Sequence, residues 1–592
     1  MSGGEPDVIV VGLGWVGGII AAELTKAGLD VVGLERGPDH DGAAGAFAGS
    51  RDELRIKRLE HTQATDTETW TLRHDLTETA LPLRRAGAFT PGTGVGGSSL
   101  LYGGMAWRFP EYDFMPRTAI TTRYGAGAIP NGATIADWGI SYADLAPFYD
   151  QFERMAGVGG RAGNINGRLQ PGGNPFEAPR SGDFPVPPMR DLPGPSLFRD
   201  TTARLGYHPF PVPSSALSRD YVNPDGIARR ACTYCGYCAG APCEFGAKAD
   251  ALVTVLPVAR RTGRFEVRAG CTVTEVLHDG GTARGVRYHD AGGVRHELRA
   301  GAVVLSAYAL NNTRLLLTSG LGTPYDPVTG TGSVGKNYGY NFGFHSHALF
   351  AGRTFQNYVG SPAIGYAIAE YNADNFDHTG LGFLDGGLIW TSNRAAGPLA
   401  GIPVPPGTPR WGAGWKRAIG KWYDRFVTVV GHGAVLPHQQ HYLDLDPTYT
   451  DSFGLPLLRI TFDWGENDRR MYEFMSGKVA QIVAAMEPDE VVPPPGLPEH
   501  FNTAVYQSTH NTGGAIMGAD PATSVVSPWL RMWDCGNVWV AGGSALPQGT
   551  GTGPTGTICA LAYRAAHDII TSWAPGRPGP AAGQMMPAPP ST

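Results

Sequence analysis

The chain has 592 residues, 42% of them hydrophobic and only 17% charged, with a formal net charge of −6. This length implies two or three lobes rather than one small domain, and the acidic balance argues against a nucleic-acid partner, whose binder carries a basic face. No apolar run approaches the roughly 20 residues of a membrane span. No positively charged region precedes the first strand, so neither a cleavable signal peptide nor a direct membrane span is expected. The expected location is cytoplasmic, or periplasmic if the chain is co-exported with a signal-bearing partner.

In chain order, Asp7 to Val11 is a short β-branched run that predicts a buried strand. Gly12, Gly14 and Gly17 follow as G-x-G-x-x-G, Ile19 to Ala27 predicts a helix stopped by Gly28, and Val31 to Leu34 predicts a second strand ending at Glu35 and Arg36. The three glycines suit, in turn, a tight turn, backbone approach to a pyrophosphate, and close helix–strand packing. The helix N-terminus offers free N–H groups to phosphates, and Glu35 is placed to accept hydrogen bonds from a ribose. A dinucleotide is therefore expected here. A second glycine cluster, Thr93 to Phe114, contains Gly94, Gly96, Gly97 and Ser98, whose amides can meet another face of a large cofactor.

Residues 116–245 are rich in Pro and Gly and suggest an insertion or lid. They hold Cys232, Cys235, Cys238 and Cys243, four of the seven cysteines, spaced C-x2-C-x2-C-x4-C. Cysteines three apart in a tight loop are poor partners for two disulfides at once. Structural zinc favours two separated pairs, whereas ferredoxin-like loops repeat cysteine every three residues. The expectation is an iron–sulfur cluster, 3Fe–4S or 4Fe–4S, with zinc and plain thiols or disulfides left open. No C-x-x-C-H occurs, so no c-type haem is attached. Cys271, Cys535 and Cys559 are scattered and expected in the core.

"FEVRAGCTVTEVLHDGGTARGVRYHDAGG" predicts three alternating strands with glycine turns, and "AVVLSAYALNNTRLLLTSG" a buried strand and a helix. "HYLDLDPTYTDSFGLPLLRITFDW" predicts strands around a turn. His432, His438 and His441, near Asp444 and Asp446, suggest a metal only weakly, because alternate strand residues point to opposite faces; some are candidates to line a pocket instead. Tyr102, Trp107, Arg108 and the aromatics from Trp411 to Trp422 are further pocket candidates.

Two late stretches, Ser508 to Val526 and Asn537 to Ile569, together with the front end resemble the glucose–methanol–choline (GMC) family of flavoprotein oxidoreductases. Within it, the cysteine segment and "ALPQ…PTGT…ALAY" most resemble the large catalytic subunit of gluconate dehydrogenases and sugar- or glycoside-oxidising dehydrogenases. The resemblance implies an α/β fold: a Rossmann-like FAD-binding domain assembled from separated segments (1–115, 246–340 and 501–574) and a mixed-sheet substrate-binding domain (341–500); the Pro-rich, nearly charge-free end (575–592) is read from composition as a disordered tail. It implies FAD, held noncovalently because no histidine lies between Gly94 and Gly104. His510 matches the family's catalytic histidine, and such a group takes the alcohol proton. The family's second His or Asn falls on Gly553, so Asn511, Gln548 or a bound water is expected to substitute. Gly543, Ser544 and Thr555 are expected cofactor contacts, and the last helix, expected over Ile558 to Ile570, points its N-terminus at the flavin ring.

The resemblance further implies oxidation of a secondary alcohol of a sugar, glycoside or sugar acid to a ketone by hydride transfer to the flavin. Electrons then leave to a protein or dye acceptor, with a small subunit and a cytochrome c as partners. The alternatives are an oxidase using dioxygen and a flavoprotein impaired by Gly553.

Overall fold

A computed structural model describes residues 4–40, 47, 62–63, 68–85, 89, 91–238, 240–391, 393, 401–504 and 508–573; the expected tail at 575–592 lies outside them. The elements that position the site are, in the first half, β1 (Val8–Val11), α1 (Trp15–Lys26), β2 (Val31–Glu35), α2 (Tyr142–Ala156), β3 (Phe265–Ala269), β4 (Ala302–Leu305) and α3 (Ala309–Thr318). In the second half they are β5 (Phe342–Leu349), β6 (Tyr366–Ile368), β7 (Ile389–Thr391), β8 (Phe426–Gly433), α4 (Glu466–Ala485), β9 (Glu490–Val492), β10 (Val538–Val540) and α5 (Thr555–Ser572).

Val8 to Val11 are buried on both faces, as continuous apolar runs are in parallel sheets. They form the centre of a five-stranded sheet in the order β3-β2-β1-β4-β10, parallel at every pairing. Strands from three distant stretches of chain thus build one dinucleotide-type sheet. The α1 helix starts at Trp15, earlier than its apolar periodicity suggests, because Gly17 and Gly18 belong to its first turns. A Cβ at Gly17 would lie 2.0 Å from the Gly12 carbonyl oxygen, so only glycine lets the helix rise so close to the turn. The expected three-strand run divides: Phe265–Ala269 joins the parallel sheet, while Thr272–His278 and Ala283–His289 form an antiparallel meander with Arg295–Arg299.

The second sheet has the order β9-β5-β8-β7-β6 followed by the short strand Phe210–Pro211, and is antiparallel throughout. Its strands alternate. Phe342, Phe344 and Ser346 of β5 are buried, while His345 and His347 are half-buried on the other face. Met471, Met475, Val479 and Ile482 of α4 are buried, and α4 packs across β5 and β8. A mixed four-stranded sheet joins Tyr442–Thr450, Pro456–Thr461, Thr71–Arg73 and Leu81–Pro82.

The 116–245 stretch holds regular structure. It contains α2, which is N-capped by Ser141 and Asp144 in a reciprocal box and ended by Gly157 in the left-handed region. Leu145, Tyr149, Phe152 and Met155 bury one face of α2, which packs on α5. The Tyr149 hydroxyl is hydrogen-bonded to Thr557 Oγ1 at 2.6 Å. Among the described residues no helix is long and apolar enough to cross a membrane.

Candidate active site

One cavity of about 770 Å³ runs from the G-x-G-x-x-G turn to His510. Its walls include Gly12, Gly14, Glu35, Arg36, Gly97 and Ser98 at one end, and Tyr102, Trp107, Trp390, His432, His510 and Gly553 at the other. Gly542, Gly543 and Thr555 also line it.

The glycines make this space. Gly12 has φ +89°, and a Cβ there would lie 2.7 Å from the Ser306 carbonyl oxygen. A Cβ on Gly14 or Gly542 meets nothing nearer than 3.9 Å, so a side chain at either would extend into open space. Gly97 abuts Gly14 (its Cβ would lie 3.2 Å from the Gly14 Cα), and the Gly96 N–H donates to the Leu13 carbonyl at 2.8 Å. The two glycine loops therefore form a single cradle of bare backbone. Glu35 helps hold it: its carboxylate accepts from the N–H groups of Leu13 (3.0 Å), Gly37 (3.0 Å) and Gly94 (3.4 Å). An ionised carboxylate offers about four lone-pair sites, so room for a ribose hydroxyl remains. Arg36 is tied to Glu68 (2.5 Å) and Gln63 (2.8 Å). A bare cradle, a carboxylate at the strand end and the N-terminus of α5 on one wall fit a dinucleotide such as FAD.

Gly17, Gly96 and Ser544 stand behind this wall. The Ser544 hydroxyl is buried against Asn312 Nδ2 at 3.0 Å rather than offered to the cavity. The α5 helix begins at Thr555, three residues before its apolar run. Gly556 permits this, since a Cβ there would lie 2.1 Å from the Trp107 carbonyl oxygen.

His510 is held by its neighbours. Asn341 donates from Nδ2 to the Thr550 carbonyl (3.0 Å), which fixes the amide and leaves Oδ1 as the acceptor. Oδ1 accepts from the Ser508 hydroxyl (2.6 Å) and meets His510 Nδ1 at 3.1 Å. By this network Nδ1 carries the proton and Nε2 is the free base. Burial pushes His510 down to about 4, so the ring is neutral at pH 7. A Cβ on Gly553 would lie 3.5 Å from His510 Cε1 and 3.7 Å from Nε2. Position 553 thus faces the basic edge of the ring, and its glycine leaves that space open.

Of the expected substitutes for the missing side chain, the two side chains are placed otherwise. Asn511 lines the cavity, but its Oδ1 accepts from Tyr338 and its Nδ2 donates to Tyr308, each at 2.6 Å. Gln548 is buried off the cavity wall, with neither amide atom partnered. His432 and His345 do line the cavity; His438 and His441 do not. Tyr102 and Trp107 are on the wall, as expected. Arg108 is instead bound into a buried network with Asp150 and Glu153, and the helix Gly412–Trp422 is not part of the wall.

The expected cluster ligands lie on one loop, with Cys238 buried and Cys232, Cys235 and Cys243 half-buried. All seven cysteines are free thiols, and among the described residues no group of three or more His, Cys, Asp or Glu side chains is placed to hold a metal ion. Burial pushes the Cys232 thiol up to about 12 and raises Cys238. The loop has another use. Lys248 is fully buried, and its Nζ donates to the carbonyls of Leu100 (3.0 Å) and Tyr102 (2.9 Å) in the second glycine loop, and to those of Cys238 (3.4 Å) and Ala241 (3.0 Å) in the cysteine loop. The cysteine loop braces the cradle from outside. Sequence reasoning missed Lys248, Asn341 and His345.

Family models described as GMC oxidoreductase match residues 223–342 and 437–562. The chain is 42% identical over 583 residues to the gluconate 2-dehydrogenase flavoprotein of Pantoea cypripedii, covering 97% of this chain and 95% of that one. It is 26% identical over 575 residues to the fructose dehydrogenase large subunit of Gluconobacter japonicus, covering 95% and 97%. Of solved structures, formate oxidase superposes with a TM-score of 0.62 at 14% identity, covering 96% and 99%. Pyridoxine 4-oxidase from Mesorbium loti superposes with a TM-score of 0.57 at 16% identity, covering 95% and 99%. At these identities the two structures show the fold alone.

Proposed function

The chain belongs to the GMC oxidoreductase family, and from that premise we propose that it is an FAD-dependent dehydrogenase oxidising a secondary alcohol of a sugar or glycoside to a ketone. The observation that carries this reading is the continuity of one cavity between the dinucleotide cradle and the basic edge of His510. FAD is the cofactor this family implies; when bound, it supplies the two-electron acceptor for the hydride.

The protein's own groups supply the rest. Nε2 of His510 takes the hydroxyl proton as the carbon–hydrogen bond breaks and the C=O bond forms. Asn341 Oδ1 keeps Nδ1–H in place, so Nε2 stays the acceptor, and it faces the N–H that becomes more acidic once the ring is protonated. Desolvation keeps the ring neutral, and therefore competent, at neutral pH. Gly14, Gly97 and Gly542 bind by bare backbone, and the N-terminus of α5 favours negative charge on its side of the cavity.

Among the described cavity-lining residues the arginines, Arg36 and Arg314, are already paired with Glu68 and Asp451, and no lysine is present. That favours a neutral sugar or glycoside over a sugar acid, whose carboxylate calls for a cation. The acceptor is proposed to be a protein or an artificial dye. Dye reduction across D-glucose, methyl β-D-glucoside and D-gluconate, run against oxygen consumption, tests the reading. Dye turnover without oxygen uptake is expected; rapid oxygen uptake makes the protein an oxidase, and no turnover with flavin bound refutes the proposal.

A further inference from the structure

A base alone does not complete the site around His510. A hydroxyl has one donor and two lone pairs. When its proton passes to Nε2, the oxygen holds developing negative charge in a cavity whose wall includes Trp107, Leu388, Trp390 and Val430. An oxygen left there without a donor carries the full penalty of an unpaired buried polar atom. Gly553, the residue facing the basic edge of His510, has no side chain to give.

A neighbouring residue has one. The rings of His432 and His510 lie 5.6 Å apart, centroid to centroid, with planes at 78°. The pleat of β8 aims His432 there. Gly431 and Gly433 point into the core, where a Cβ would lie 2.3 Å from Phe344 Cζ and 1.9 Å from Phe342 Cζ respectively. Val430 and His432 therefore face the other side, the cavity. In register, Val430 pairs with Trp390 on β7 and His345 on β5, whereas His432 pairs with Gly343, which contributes no side chain to crowd it. Trp390 stands edge-on to His432 at 4.4 Å and 89°, and its indole N–H is buried with no partner.

We infer that His432 is a second substrate-contacting imidazole, donating a hydrogen bond to the oxygen being oxidised and doing from β8 what a glycine at 553 cannot. The inference rests on alcohol oxidation at His510. Preorganised donors to a charge that develops in the transition state typically give about 10²–10³-fold in rate.

The test is anaerobic flavin reduction by D-glucose, methyl β-D-glucoside or D-gluconate in the holoenzyme, for His432→Ala, His432→Asn and His432→Ala/Gly553→Asn. Sugar binding to the inactive His510→Ala background, with and without His432→Ala, is read as perturbation of the flavin absorbance. His432→Ala is expected to slow reduction about 10²-fold with flavin content unchanged. An amide at 432, or one restored at 553, is expected to recover part of the loss, and His432→Ala to weaken sugar binding. Reduction of His432→Ala at the wild-type rate overturns the inference while leaving the proposed function intact, provided His510→Ala abolishes reduction. A loss that no amide rescues, with sugar binding unchanged, marks a structural role and overturns it too. If no sugar reduces wild-type flavin, both readings fall together.

Discussion

Asn341 carries the most exposed part of this account, because one buried amide is asked to fix both the tautomer of His510 and the loop bearing Gly553. Leucine is close in size and lacks the amide. In Asn341→Leu the Ser508 hydroxyl can turn to the backbone carbonyl of residue 341, 2.9 Å away. The Thr550 carbonyl and His510 Nδ1–H have no such second partner. Two unpaired buried groups at about 1–3 kcal/mol each cost at least about 2 kcal/mol of stability. The larger effect is on rate. A general base typically contributes about 10²–10⁴-fold, so a ring free to take the other tautomer loses at least about 10²-fold in kcat/KM. Asn341→Asp separates the two effects. Its carboxylate still accepts from Ser508 and Nδ1–H but faces the Thr550 carbonyl oxygen with another acceptor. A negative neighbour favours the imidazolium and raises its pKa by about 1–3. Activity falls as pH drops through the pKa of the base, so the acid limb of kcat/KM, set in the wild type by a histidine near 4, moves upward in Asn341→Asp. The assay is kcat/KM against pH, with flavin content and calorimetric Tm measured alongside. Wild-type kcat/KM in Asn341→Leu, or an unmoved acid limb in a folded, flavin-bound Asn341→Asp, refutes the reasoning.

His510→Ala is expected to lower anaerobic flavin reduction by about 10²–10⁴-fold while retaining flavin, as seen by rapid mixing. Gly17→Ala forces a Cβ to within 2.0 Å of the Gly12 carbonyl oxygen; purified protein is expected to have little flavin, measured as absorbance per chain. Lys248→Met leaves four buried carbonyls without their donor and is expected to loosen the second glycine loop, seen as a faster rate of flavin release. Asp385 is buried near Asp374 and Asp468, and desolvation chiefly, then those charges, raises its carboxyl above the usual range. The folded state therefore holds a proton that the unfolded chain releases at lower pH, and the stability Asp385 contributes is lost as pH rises through its folded value. Asp385→Asn removes this slope and is expected to raise Tm relative to the wild type at pH 8 more than at pH 4, as calorimetry will show.

The dinucleotide end was legible because its signals are local. A β-branched strand, three spaced glycines and an acid at the next strand end lie in one short stretch; the structure puts Gly12 in a positive-φ turn, packs Gly17 against it and sets Glu35 on the N–H groups around them. Helix starts were less legible: α1 and α5 both begin before their apolar runs, with first turns holding glycines that sequence reading treats as loop and packing requires. The chemical end is assembled across distance. Asn341 meets His510 from 169 positions away, and His432 reaches the cavity because β8 alternates beside β5 and β7. The run Phe426 to Gly433, with glycines at alternate positions opposite aromatic residues of β5, held the signal that could have placed His432 on the cavity face. The spacing of the cysteine run suggested ligands and gave no sign of Lys248, which that loop's carbonyls hold. In residues 116–245 the Pro and Gly content hid α2, whose apolar spacing packs it against α5.

The most direct measurement is the absorbance of purified protein under anaerobic titration with a neutral sugar, wild type beside His510→Ala. A flavin band is expected that bleaches with added sugar in the wild type and persists in the variant. A protein that purifies without flavin and takes up none, or a variant that bleaches as fast as the wild type, would contradict it.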